Sequence, residues 1–411
     1  MTPELARLEI TSIAAGGDGV GRTDGMVVFV PRGAPGDVAQ VRLARSKRFA
    51  RGEIASIDIA SLDRVTPQCA HYVVDRCGGC QIQHLSYDAQ LRAKGAIIRD
   101  ALRRIGRRTV EEVEVHPSDG QWRYRRKLTL HLRRVGATWI AGLHPYDDPA
   151  SVFDVADCPI TDEKVIAIWR DMRAAFDFLP RERALRMAVR LLDVGAAVVV
   201  EGGGAWEENE KFFKAVPAIT ELWWKPEHGR MRRLATRAAE AQGGSSFVQV
   251  NAAVAARLQA HVLERAHAYA PRRVVDAYAG AGGTALPLAD GGATVVAIEL
   301  DAEAVARFAD QLHPPSSAVI GRVEDHLAGA LPADLVLLNP PRGGVDERVA
   351  SALQDVKTPP SALIYVSCDP ATLARDLARM PRYRLVAVRA YDMFPQTAHV
   401  ETVCELVPEA A

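Results

Sequence analysis

Apolar and polar positions along the chain follow three successive rhythms. Residues 4–58 alternate in short runs, 5–13, 26–30, 38–43 and 52–57, broken by turns at Gly16-Gly17-Asp18-Gly19 and Pro35-Gly36-Asp37. A period of two with such turns predicts a small β-barrel, a common oligonucleotide platform. Residues 86–105 have helical spacing, with Leu91, Ile98, Leu102 and Ile105 on one face and Arg92, Arg99 and Arg103 off it. Residues 110–235 predict mixed, largely antiparallel structure, pairing 128–132 with 138–143 and 185–192 with 196–201, with Gly195 at the second turn. From about Phe247 the pattern becomes strand, helix, strand, helix, with apolar runs ending at Asp276, Glu299, Asn339 and Cys368. That alternation predicts an α/β unit with a parallel sheet covered on both faces. Residues 382–407 add two strand-like runs with no helix between them, an antiparallel pair closing the sheet.

Length and composition refine this picture. A chain of 411 residues exceeds one ordinary core, and 48% apolar with 25% charged residues is a globular composition. No apolar run reaches membrane-spanning length and the start lacks a signal peptide's pattern, so a cytoplasmic protein without a membrane partner is expected. The 51 basic and 51 acidic residues cancel, so net charge says nothing about nucleic acid. The distribution says more, because basic residues bunch at 42–51, 103–108 and 123–134, and three runs in the first third point to a polyanion. Of six cysteines, Cys69, Cys77 and Cys80 cluster, Cys158 stands apart, and Cys368 and Cys404 lie near the end. In a reducing compartment the cluster indicates metal rather than disulfides, while Cys404, within the last strand, reads as plain core.

Two patches of chemistry fall on the α/β part. Asp276-Ala277-Tyr278-Ala279-Gly280-Ala281-Gly282-Gly283 runs from a strand into a glycine turn before a helix, where free N–H groups meet a ligand. Glu299 ends the next strand, where a carboxylate accepts both hydroxyls of a ribose. The G-x-G-G spacing favours S-adenosylmethionine (SAM) over a dinucleotide. The second patch begins at Asn339-Pro340-Pro341-Arg342, where prolines end the ladder and set the Asn339 amide at the sheet's carboxyl edge. The neighbouring strand ends in Ser367-Cys368-Asp369-Pro370, with a helix expected from about Pro370 whose N–H groups would stabilise a thiolate. If the last strand is antiparallel, Glu401, at the end of Phe394-Pro395-Gln396-Thr397-Ala398-His399-Val400-Glu401, shares that edge.

On these motifs the chain resembles the RNA 5-methyluridine methyltransferases, essentially over its whole length. Residues 247–407 are similar to their catalytic domain, with its S-C-[DN]-P and F-P-x-T-x-H-V-E motifs. Residues 1–60 resemble a TRAM domain, an RNA-binding barrel, and Cys69…Cys77-Gly78-Gly79-Cys80 resembles the family's iron–sulfur segment. Arg123-Tyr124-Arg125-Arg126-Lys127 is similar to its basic segment. The resemblance implies a class I SAM-dependent methyltransferase (Rossmann-like) domain over 241–411, a mixed α+β central domain over 61–240 and the barrel over 1–60. It implies Cys368 as the nucleophile on uracil, Glu401 as general base, and Gln249, Tyr278, Glu299 and Asn339 holding SAM or the base. It leaves His399 open between supporting Glu401 and a structural role. Cys69, Cys77, Cys80 and Cys158 would hold a structural 4Fe–4S cluster, or zinc, although seven residues separate Cys69 from Cys77 where five are expected. The expected partner is RNA, ribosomal before transfer RNA, and the expected state a monomer. Three rivals stand beside this reading: an amino-group RNA methyltransferase, a radical-SAM enzyme whose Cys-x3-Cys-x2-Cys spacing is absent here, and a non-catalytic RNA-binding protein.

Overall fold

The computed structural model describes residues 4–237 and 249–409. The first unit is a closed barrel of β1 (Glu4–Ile13), β2 (Gly19–Thr23), β3 (Met26–Val30), β4 (Val38–Arg45) and β5 (Ala50–Ile59), in the order β1-β2-β3-β5-β4. Alternation does here what the sequence predicts. Leu8, Ile10, Val28, Val30, Ala39, Val41 and Leu43 turn inward to a small buried core.

A short helix α1 (Ala70–Val73) and the long α2 (Tyr87–Arg104) follow, then β6 (Val115–His116). Ser86 caps α2, accepting from the Ala89 N–H at 3.4 Å. The apolar face differs from the predicted one: Ile105 is 43% exposed, whereas Gln90, Lys94 and Ile97 are buried beside Ile98 and Leu102. The cause is tertiary, because α2 packs on another domain that supplies polar partners for Gln90 and Lys94.

The central sheet contains β7 (Lys127–Val135), β8 (Thr138–Leu143), β9 (Phe153–Asp154), β10 (Ala184–Leu191), β11 (Ala196–Glu201), β12 (Ile219–Lys225) and β13 (Arg232–Thr236). Its order is β13-β12-β11-β10-β7-β8-β9, antiparallel except between β11 and β12. Gly195, at φ 70°, makes the turn between β10 and β11. Helices α3 (Glu163–Arg173) and α4 (Asn209–Ala215) bury Trp169, Met172 and Phe212 against one face.

After α5 (Ala252–Ala268) the chain alternates as expected: β14 (Arg273–Ala277), α6 (Ala285–Asp290), β15 (Thr294–Glu299), α7 (Ala302–Val305), β16 (Ser317–Ile320), α8 (Val323–Ala330), β17 (Leu335–Leu338), α9 (Glu347–Asp355), β18 (Ala362–Ser367) and α10 (Pro370–Ala378). The hairpin β19 (Tyr383–Tyr391) and β20 (Glu401–Pro408) ends it. The sheet order is β16-β15-β14-β17-β18-β20-β19-β6. Parallel strands buried on both faces explain the unbroken apolar runs, and β17 and β18 are wholly buried. β20 slots between β18 and β19, antiparallel to both. β6 joins the far edge, and Ile98, Leu102, Val113 and Val115 enter the same core. Part of the 61–240 segment is therefore packed into the catalytic sheet. Among the described residues no helix is long and apolar enough to cross a membrane.

Candidate active site

The first half of the site is the turn after β14. Three residues there take left-handed backbone angles: Tyr278 at φ 65°, Gly280 at 56° and Gly282 at 79°. A Cβ on Gly282 would stand 2.5 Å from the Phe308 ring, so close packing demands glycine. Gly280 faces open space instead, which fits a ligand laid against bare backbone. Tyr278 holds a conformation that non-glycine side chains avoid, as residues at ligand sites do. The Glu299 carboxylate accepts the N–H groups of Gly280 (2.9 Å), Leu300 (2.7 Å) and Asp301 (2.8 Å). It thus ties the glycine turn to β15, and Oε2, with one donor, keeps acceptor capacity for a hydroxyl. Asp276, which sequence reasoning passed over, is buried below this turn. It accepts the Thr284 hydroxyl at 2.6 Å, and burial pushes its pKa up to about 7.

The second half lies one and two strands away. Asn339 follows the buried β17 and is exposed, between buried Leu338 and Pro340, with its side chain at the sheet's edge. Register places the next pair: Ser367 of β18 faces Thr402 of β20, so one step further sets Cys368 opposite Glu401. Burial pushes the Cys368 thiol up, the Glu401 carboxylate adds to that, and the Arg342 guanidinium opposes it. Glu401 is only 5% exposed, and burial pushes its pKa up to about 7 against the pull of the same Arg342. Cys368, Glu401 and Arg342 therefore form one electrostatic group. Arg342 was legible in Asn339-Pro340-Pro341-Arg342, but nothing in the pattern said which way it faced.

One expectation needs correction. Helix α10 does begin at Pro370, but Asp369 caps it, accepting the Thr372 N–H at 2.8 Å. The helix end faces a carboxylate cap, and the Cys368 thiol is raised rather than lowered. His399, for which two roles were open, is exposed and sets its ring edge-on to Phe394, centroids 6.0 Å apart. Gln249 is half-buried at the start of the second described stretch; Phe247 and Val248 of its motif, and the 240/241 domain boundary, lie outside the described residues.

The cysteine segment packs between α2 and the central sheet. Cys69, Cys80 and half-buried Cys158 share one small cluster with Tyr72 and Ile160, and all four expected ligands are free thiols. Burial and the charges of the Cys158 and Cys69 thiolates raise Cys77 to about 11. Burial and Cys158 also raise Cys80 and Cys69, with Cys77 and Cys69 adding to the first and Asp157 to the second, so the four are electrostatic neighbours. As they stand, no group of three or more His, Cys, Asp or Glu side chains among the described residues is arranged to hold a single metal ion. Cys404 is fully buried in the sheet core.

The basic runs divide. Arg123 is a bidentate partner of Asp157 (2.8 and 2.9 Å) and donates to the carbonyls of Cys158 and Thr161. Half-buried, it pins the Cys158 loop. Arg103 and Arg104 pair with Asp100 on their own helix. On the barrel, residues 44–49 are all exposed, presenting Lys47, Arg48 and Phe49, the last edge-on to Phe29.

A glycine-turn cofactor edge, a β18–β20 reacting edge and a small barrel ahead of them define a class I SAM-dependent methyltransferase with an appended RNA-binding module. Comparison with known proteins agrees. The profile of the TRAM domain matches residues 5–55, and that of tRNA (Uracil-5-)-methyltransferase matches residues 320–407. An RNA methyltransferase of Thermosynechococcus vestitus is 31% identical over 97% of both chains. The 23S rRNA (uracil(1939)-C(5))-methyltransferase RlmD of Shewanella halifaxensis is 30% identical over 96% of this chain and 94% of its own. The fold matches that of Pyrococcus abyssi tRNA (uracil-54, C5)-methyltransferase, solved with S-adenosyl-L-homocysteine: TM-score 0.71 and 23% identity over 98% of this chain and 99% of that one. The chain belongs to the TRAM-containing RNA uracil-C5 methyltransferase family, and is a SAM-dependent enzyme acting on RNA.

Proposed function

We propose that the protein methylates carbon-5 of a uridine in 23S rRNA through a covalent adduct with Cys368, with Glu401 as the general base. The observation that carries this reading is the β18–β20 register, whose last pair, Ser367 and Thr402, is followed by Cys368 and preceded by Glu401, with the Cys368 thiol feeling the charges of both Glu401 and Arg342. Carbon-5 of uracil is a weak nucleophile. Addition of the Cys368 thiolate to carbon-6 gives an enolate whose carbon-5 takes the methyl group. SAM supplies that group on an electrophilic sulfonium. Glu401 then accepts the carbon-5 proton, the C5–C6 double bond re-forms, and the thiolate leaves carbon-6. The base reaches this edge only when flipped from its stack. Tyr278, Glu299 and Gln249 would line the SAM cradle, and Asn339 would meet the base or the cofactor's polar end.

Ribosomal RNA is favoured because two relatives that cover 96% of this chain, at 28% and 30% identity, are named as 23S rRNA enzymes, whereas the tRNA enzyme of Pyrococcus abyssi is 23% identical. The enzyme would work as a monomer in the cytoplasm. Cys69, Cys80 and Cys158 share one small cluster, Cys77 feels the charges of Cys69 and Cys158, and all four are free thiols, a donor set of the kind that binds a 4Fe–4S cluster. Cys69, Cys77, Cys80 and Cys158 would hold it, with all four sites used and a structural role. Iron and acid-labile sulfide measured on anaerobically purified protein test that assignment; stoichiometric zinc without sulfide would replace it.

Labelled SAM offered with unmodified rRNA and tRNA, followed by mapping of the methylated nucleotide, tests substrate and atom together. RNA carrying 5-fluorouridine has no carbon-5 proton to lose, so a stable adduct at Cys368 is expected, absent in Cys368→Ala. Full activity of Cys368→Ala would instead indicate an amino-group methyltransferase.

A further inference from the structure

The strap of residues 392–400 that delivers Glu401 is moulded chiefly by groups outside the catalytic segment. Lys94 of α2, fully buried, donates to Asp392 Oδ1 at 2.5 Å and to the Phe394 carbonyl at 3.0 Å. One turn earlier, Gln90 donates to Gln396 Oε1 and accepts the Gln396 N–H, both at 2.9 Å. The cysteine segment adds the Ile82 N–H to the Gln396 carbonyl (3.2 Å) and Gln81 Oε1 accepting the Ala398 N–H (3.4 Å). The Tyr124 hydroxyl donates to the Pro395 carbonyl at 3.0 Å. Gln396 itself is 2% exposed with φ 72°. A non-glycine residue holds that conformation only where its surroundings over-determine it. Here its N–H, its carbonyl and its side-chain oxygen are all engaged by α2 and the cysteine segment.

We infer that Lys94, Gln90 and Gln81 are positioning residues for the proton-abstraction step, holding the strap in the conformation that aims Glu401 at carbon-5 of the bound uracil. The inference rests on Glu401 being the base. Thiolate addition and methyl transfer do not use Glu401, whereas breaking the carbon-5–H bond and then the carbon-6–sulfur bond does. A displaced Glu401 therefore leaves methylated RNA attached to Cys368. It also gives the cysteine segment a task in an enzyme whose chemistry is not redox: it is part of the mould.

The test uses the full-length protein, SAM and unmodified rRNA. In Lys94→Met/Asp392→Asn both charges leave together, so no buried charge is stranded; Gln81→Ala is a second, milder variant. Both are expected to accumulate a denaturant-stable, methyl-bearing protein–RNA adduct that decays about 10- to 100-fold more slowly than in the wild type, the effect of a misplaced catalytic group. Affinity for S-adenosylhomocysteine should stay within about twofold, as the strap does not form its cradle. If the double variant fails to fold, Gln81→Ala decides. Adducts that resolve at the wild-type rate, with only a lower melting temperature, overturn the inference. A wild-type protein that forms no adduct on 5-fluorouridine RNA would instead sink the covalent reading on which it rests.

Discussion

Replacing Glu401 by glutamine should make the protein more stable and much less active, with the stability gain confined to neutral and alkaline pH. Glu401 is 5% exposed, and burial lifts its pKa from 4.5 to about 7. The folded state thus prefers the proton more than the unfolded chain does. Below pH 4.5 both states hold it and the carboxyl costs nothing. Between 4.5 and 7 the unfolded chain ionises first, so stability falls as pH rises, and above 7 the full penalty is present. At about 1.4 kcal/mol for each pH unit, that penalty is on the order of 3 kcal/mol. The amide of Glu401→Gln carries no charge at any pH, so the variant should gain about 3 kcal/mol over wild type at pH 8 relative to pH 4. All six tryptophans lie between Trp122 and Trp224, so their fluorescence follows the central domain. Amide exchange of β18 and β20 in both proteins at the two pH values reads the relevant sheet. Equal stability differences at pH 4 and pH 8 would refute the buried-carboxylate argument. Release of free methylated RNA by the variant at the wild-type rate would refute Glu401's part in catalysis.

Three further outcomes follow from the same geometry. The rate at which free methylated RNA is released from the Cys368 adduct should rise with pH through about 7, because Glu401 accepts the carbon-5 proton only when ionised; a flat release profile from pH 6 to 9 in single-turnover assays contradicts this. Gly282→Ala puts a Cβ 2.5 Å from the Phe308 ring at φ 79°, and should cost about 1–3 kcal/mol while weakening S-adenosylhomocysteine binding; calorimetry with an unchanged affinity argues against a tight cradle. On the barrel, Lys47→Ala/Arg48→Ala should weaken RNA binding and reduce the slope of log affinity against log salt by about one to two; an unchanged slope removes residues 44–49 from the RNA-facing surface.

The sequence by itself determined the parts whose signals are local. Period-two alternation with glycine turns specified the barrel, and buried apolar runs between helical stretches specified the parallel sheet. The glycine turn, Asn339, Cys368 and Glu401 were visible because each ends an element, and strand ends at a sheet's carboxyl edge are where such folds bind. The tertiary structure alone decided what those residues feel. Register set Cys368 against Glu401, and burial raised both where a helix end had been expected to lower the thiol. Arg342 joined them, Arg123 turned from a phosphate contact into the clamp on the Cys158 loop, and Lys94 went inward to Asp392. A charged residue carries the same letter on a solvated face and in a buried pair; its partner lies 298 positions away for Lys94. Periodicity measures which way a residue faces within its own element, whereas pKa, strain and pairing depend on what the rest of the chain brings against it.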